Sequence, residues 1–161
     1  MMQVEYINPF IEAVYDVFGR MLEAKATRGE AGLTEKARDP DEITAIIGWS
    51  GQVRGTVSVG FPVATALNVA SRLAGSKLTE VDDTVMDAVA ETVNIIGGGA
   101  KAKFADDAGI ETIDLSLPMV VFGANYDVQH PTGSKWVEVP FDSELGSFTL
   151  CVTFETMNKT R

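Results

Sequence analysis

Cysteine and histidine are almost absent from this sequence, and basic charge is scarce. One cysteine, Cys151, cannot form an intramolecular disulfide, so the chain fits a reducing cytoplasm. One histidine, His130, and one cysteine cannot assemble a His/Cys zinc site. A Ser-His-Asp triad would need His130, which sits in the turn-like stretch "DVQHPTGSK" and reads as a loop histidine. The formal net charge of −10, with lysine and arginine scattered along the chain, excludes the basic footprint that nucleic acid or an anionic membrane surface requires. No apolar run is long enough to span a bilayer, and "MMQVEYINPF" lacks the basic and apolar parts of a signal peptide.

What is present suits a globular domain. The chain has 161 residues, 45% of them hydrophobic and 22% charged, which is one domain's worth of sequence with enough apolar surface for a core. Residues 1–161 are therefore read as a single domain.

From Ile7 to Lys25, apolar residues at Phe10, Ile11, Val14, Val17, Phe18, Met21 and Leu22 follow helical spacing. "NP" opens the run, with Asn8 placed to cap and Pro9 in the first turn. Residues 26–41 are polar and interrupted by Gly29, Gly32 and Pro40, as in a loop with at most one weak edge strand. "EITAIIGWSG" and "VRGTVSVGF" form a β-hairpin pattern around Gly51 and Gln52. "PVATALNVASRLAG" is a short helix ending at Gly75. Thr79 is placed to cap the longest helix, from about Glu80 to Ala105. Strand-like runs follow at Thr112–Leu117, Pro118–Phe122, Trp136–Phe141 and Ser147–Phe154. The expected class is α+β: two long helices and a shorter one on a largely antiparallel sheet of about five to six strands.

The long helix holds "ETVNIIGGGAKAK", whose glycines and lysine invite comparison with phosphate-binding loops. A Walker loop needs G-x-x-x-x-G-K-[ST] after a strand, and Ala102 follows Lys101 here. No buried parallel strand leads into the glycines, so a dinucleotide fingerprint fails too. On a helical wheel, Val85, Val89, Val93, Ile96 and Ala100 form the buried stripe. Opposite them Asp87, Glu91, Asn94 and Gly98 fall in one line, with Lys101 close to the same ridge. Such a line is either an ordinary solvated face or a functional one. Asp87 and Glu91 are like charges at i, i+4, and glycine costs about 0.8–1 kcal/mol in a helix interior. Neither choice serves solubility alone.

The pattern D-x-x-x-E-x-x-N-x-x-x-G from Asp87 to Gly98, followed by Pro118, resembles the signature of the CheC/CheX/FliY chemotaxis phosphatases. "INPFIEAV", "IIGWSGQVRGTVSVGF" and "VEVPFDSELGSFTLCVTF" are similar to that family's first helix, first hairpin and closing strands. The shorter helix has Asn68, but Thr65 stands where the acid of a second motif would be, so one copy is present, as in CheX. The resemblance implies hydrolysis of the aspartyl phosphate on a CheY-like receiver domain. Asn94 would position the attacking water and Glu91 would engage the receiver's lysine. Asp87 would flank the interface, Gly98 would allow close approach, and Lys101 would offset repulsion between two acidic surfaces or simply be solvated. No cofactor or metal is expected on this chain; Mg²⁺ would be held by the receiver. The implied partners are a phosphorylated receiver and a second copy of the chain in a homodimer. Two alternatives share the sequence: a non-catalytic module that docks on a receiver or flagellar-switch protein, and a ligand-binding sensor domain.

Overall fold

A computed structural model describes residues 2–30, 32–34, 42–51, 54–107, 113–123 and 135–155. The first helix, α1, runs over Met2–Asp16 and passes into a wider π-helical turn at Val17–Met21. Two three-residue strands follow, β1 (Ala26–Arg28) and β2 (Gly32–Thr34). The hairpin of β3 (Ile43–Gly51) and β4 (Arg54–Phe61) leads into α2 (Val63–Ala74) and α3 (Asp83–Asp107). The remaining strands are β5 (Ile113–Leu115), β6 (Met119–Phe122), β7 (Lys135–Ser143) and β8 (Phe148–Glu155).

All strand pairings are antiparallel, in the order β1-β7-β8-β4-β3-β5. The sheet has eight strands but is six positions wide. β1 and β2 lie end to end along the outer edge of β7, and β5 and β6 do the same along β3. The α+β class and the hairpin order expected from the sequence are those observed. The two strands within residues 26–41 were less legible, because three residues are too few for an alternating pattern to show.

Three helix details differ from the sequence reading. Asn8 does not cap α1: the helix begins at Met2 and continues through Pro9. Ile7 and Pro9 are both buried, so packing carries the helix past a residue that cannot donate a backbone hydrogen bond. Met21 leaves the apolar stripe and is exposed, while Leu22 is fully buried, because the π turn changes the angular step between residues. Finally, α3 is capped by Asp82 rather than Thr79: the Asp82 carboxylate accepts the Val85 N–H at 3.1 Å. The preceding connector is tied back to α2, where the Leu78 N–H donates to Ser71 Oγ at 2.8 Å. The end of α2 is as expected, with Gly75 in the left-handed conformation at φ 74°.

The core lies between the helices and one face of the sheet. It takes Phe10, Val14 and Phe18 from α1 and its extension, Ile43, Ala45 and Ile47 from β3, and Leu150 and Val152 from β8. α3 packs on α1, α2 and the β3, β5 and β6 side of the sheet. His130 lies outside the described residues.

Candidate functional site

α3 is held on three sides. Val85, Val89, Val93, Ile96 and Ala100 are all completely buried, so the stripe read from the sequence is the face that packs. Toward the C-terminal end, Phe104 stacks on Trp49 at 5.5 Å between ring centroids and meets Phe10 edge-on at 5.6 Å. On the flank toward α1, Lys103 pairs with Asp16 at 3.2 Å and lies 3.7 Å from Glu12. Thr92 is buried in the stripe and donates its hydroxyl to the Ala88 carbonyl at 2.8 Å. The helix is therefore a fixed platform, and its fourth side faces solvent.

That open side carries Asp87, Glu91, Asn94, Gly98 and Lys101, all exposed. Their spacing puts them along one ridge nearly four helical turns long. The side chains of Glu91, Asn94 and Lys101 make no hydrogen bond or ion pair with any described residue. Both functional groups of the Asn94 carboxamide, a donor and an acceptor, are thus turned to solvent without an internal partner.

The three glycines do different jobs. A Cβ at Gly98 would meet nothing within 4 Å, so the ridge there is bare backbone open to a partner. A Cβ at Gly97 would touch Leu115 at 3.5 Å and Ile47 at 3.6 Å, which places that residue against the sheet. A Cβ at Gly99 would come within 3.3 Å of the Ala13 Cβ, so this glycine sets how closely α1 and α3 approach. The last role was not visible in the sequence. The only signal was the coincidence of two small residues, and it needed the helix pairing to interpret it.

The second helix shows the opposite use of similar residues. Thr65 is buried and donates its hydroxyl to the Ser147 carbonyl at 2.8 Å. The Asn68 amide donates to the Leu145 carbonyl at 2.9 Å. Both hold the β7–β8 turn, so this face has no uncommitted carboxamide to match Asn94. Among the described residues, no group of three or more His, Cys, Asp and Glu side chains converges as a metal site. Among those residues too, no helix is long and apolar enough to cross a membrane.

An exposed carboxamide beside a carboxylate, on a rigid and locally bare ridge, can enter a recess on another molecule and orient a water there. The family model described as "Chemotaxis phosphatase CheX" matches residues 43–142, from β3 into β7 and including all of α3. The chain is 24% identical over 129 residues to the CheY-P phosphatase CheX of Thermotoga maritima, covering 80% of this chain and 82% of that one. Its fold is similar to the crystal structure of a chemotaxis protein CheX from Desulfovibrio desulfuricans, with TM-score 0.85 and 27% identity over 94% of this chain and 99% of the other. It is also similar to CheX in the CheX–CheY–BeF₃–Mg²⁺ complex from Borrelia burgdorferi, with TM-score 0.78 and 25% identity, covering 93% and 97% of the two chains. With well over half of its length matched by that family model, the chain belongs to the CheX family of chemotaxis phosphatases.

Proposed function

We propose that this chain hydrolyses the aspartyl phosphate of a CheY-like receiver domain. Asn94 would orient the attacking water and Glu91 would engage the receiver's active-site lysine. The observation that carries this reading is the pair Glu91 and Asn94, exposed and internally unengaged, on a ridge bared by Gly98 in a chain of the CheX family. In the reaction, the water oxygen bonds to phosphorus and the bond from phosphorus to the aspartate oxygen breaks. The water's proton passes to the departing phosphate, leaving a free carboxylate on the receiver. Such a transfer needs in-line positioning and charge neutralisation more than it needs a strong base, and an amide supplies the first.

Charge neutralisation would come from Mg²⁺ on the receiver, consistent with the Mg²⁺ in the relative's complex with CheY. Asp87 and Lys101 stand at the two ends of the ridge and would meet the receiver's rim. Residues 1–161 form one such domain in this reading, working in the cytoplasm as a homodimer.

The test is phosphate loss from a panel of phosphorylated receivers in Mg²⁺, with and without the protein. Acceleration is expected for at least one receiver. Asn94→Ala should lower kcat about a hundredfold, and Glu91→Ala should raise KM. Full activity in Asn94→Ala would remove the mechanism. Binding without faster decay would replace the enzyme with a docking module.

A further inference from the structure

Two lysines lie two residues apart near the C-terminal end of α3, and they are used differently. Lys103 turns to the α1 flank, where it pairs with Asp16 at 3.2 Å and lies 3.7 Å from Glu12. Lys101 stands on the open side, exposed, and its side chain makes no hydrogen bond or ion pair with any described residue. Acidic residues outnumber basic ones by 23 to 13 in this chain, so carboxylates are plentiful. The helix nevertheless turns this ammonium away from them.

Its place relative to Asn94 is fixed. Seven residues, nearly two full turns, put Lys101 on the same line about 10 Å farther along the axis. Glu91 lies on the other side of Asn94, about 4.5 Å away along the axis. Phe104, stacked on Trp49 and edge-on to Phe10, pins the helix at the Lys101 end. Helical side chains lean back over the preceding turn, and for Lys101 that turn holds Gly98, where a Cβ would meet nothing within 4 Å. One turn beyond, Ala105 adds only a methyl group. The lysine stem thus crosses bare backbone toward Asn94, and nothing at those two positions holds or screens its charge.

The ridge therefore has a direction: carboxylate, carboxamide, bare backbone, ammonium. A receiver that puts its lysine on Glu91 and its phosphoryl group at Asn94 presents the far rim of its pocket to Lys101. A carboxylate on that rim pairs with the ammonium, a neutral residue desolvates it without compensation, and a basic one repels it. Charge pairs of this kind fix register and reject wrong partners more than they add affinity.

We propose that Lys101 selects the receiver. It pairs with an acidic side chain on the rim of the phosphorylation pocket, on the side of the phosphoaspartate away from the receiver's active-site lysine. This rests on the receiver-phosphatase reading and adds the residue that decides which receivers are substrates and which way round they seat. Lys101 acts on binding and orientation, not on the water.

The experiment uses full-length chain and a panel of phosphorylated receivers in Mg²⁺. For the receiver with the lowest KM, Lys101→Ala should raise KM about fivefold and Lys101→Glu about thirtyfold, with kcat at saturation within twofold of wild type. Lys101→Arg should keep KM within twofold. Lys77→Glu, an exposed lysine in the connector before α3, changes net charge by the same amount and should leave KM within twofold. Each acidic residue around that receiver's pocket, outside its Mg²⁺ ligands, is then changed to lysine in turn. One of these receivers should be a poor substrate for wild type and be recovered by Lys101→Glu. Thermal unfolding of each variant should match wild type, since the Lys101 side chain holds nothing in the fold. Wild-type KM in both Lys101→Ala and Lys101→Glu for every receiver, with wild-type activity intact, overturns the selecting role and spares the phosphatase reading. A fall in kcat with KM unchanged also overturns it, by placing the ammonium on the phosphoryl group. Equal losses in Lys77→Glu and Lys101→Glu overturn it in favour of net charge alone. Failure of wild type to accelerate any receiver overturns both readings.

Discussion

Gly98 has open space where a side chain would stand, and it sits within a continuous helix. These two facts separate stability from recognition at one residue. Gly98→Ala should stabilise the fold by about 1 kcal/mol, the helix-propensity difference, measured as a rise in the denaturation midpoint. Gly98→Leu should also fold, because nothing in the chain opposes it, yet raise KM for a phosphorylated receiver by about tenfold or more. A leucine that left KM unchanged would show that the partner does not approach the backbone there. Gly99 gives no such freedom, since its Cβ would press on Ala13 and push α1 away. The spacing in the sequence put Glu91, Asn94 and Gly98 on one ridge correctly, because helical periodicity is a local property of the chain. It could not tell Gly98 from Gly99, because that difference is made by α1.

At the level of elements, α2 and α3 each carry an asparagine on a helix that packs in the same core, and the two are used differently. The Asn68 side chain donates a hydrogen bond to the Leu145 carbonyl, while the Asn94 side chain bonds to no described residue. Asn68→Ala should therefore cost about 1 kcal/mol of stability, through one lost hydrogen bond, and leave phosphatase kcat within twofold. Asn94→Ala should do the reverse. Equal loss of activity in both would mean that the β7–β8 turn, and not only the α3 ridge, touches the receiver. The boundaries of these elements show where local signals run out. Asp82 and Thr79 both satisfy the rule for a helix cap, and the Ser71–Leu78 hydrogen bond, made across a turn, decides between them. Pro9 reads as a helix start until Ile7 is seen to be buried, when it becomes an interior residue of a helix held by packing.

Across the whole molecule, charge and architecture act on the partner together. With a net charge of −10, the chain has no long-range attraction for an acidic receiver pocket. Association with a receiver of net negative charge should therefore speed up as salt is raised from about 20 to about 200 mM, since screening removes repulsion. Stopped-flow measurement of binding to the beryllofluoride-loaded receiver checks this. A marked slowing would mean that local pairs at Glu91 and Lys101 outweigh the global charge.

The sequence alone determined the α+β class, the β3–β4 hairpin, the buried stripe of α3 and the exposed line through Asp87, Glu91, Asn94, Gly98 and Lys101. Each of these rests on period-2 or 3.6-residue spacing, which neighbouring residues carry among themselves. Tertiary structure decided the rest: two short strands along β7, the cap at Asp82 and the separate contacts of the three glycines. Those depend on contacts between residues far apart in the chain. No periodicity encodes which helix comes to rest beside which strand, and only packing of the core brings the β5–β6 edge alongside Gly97.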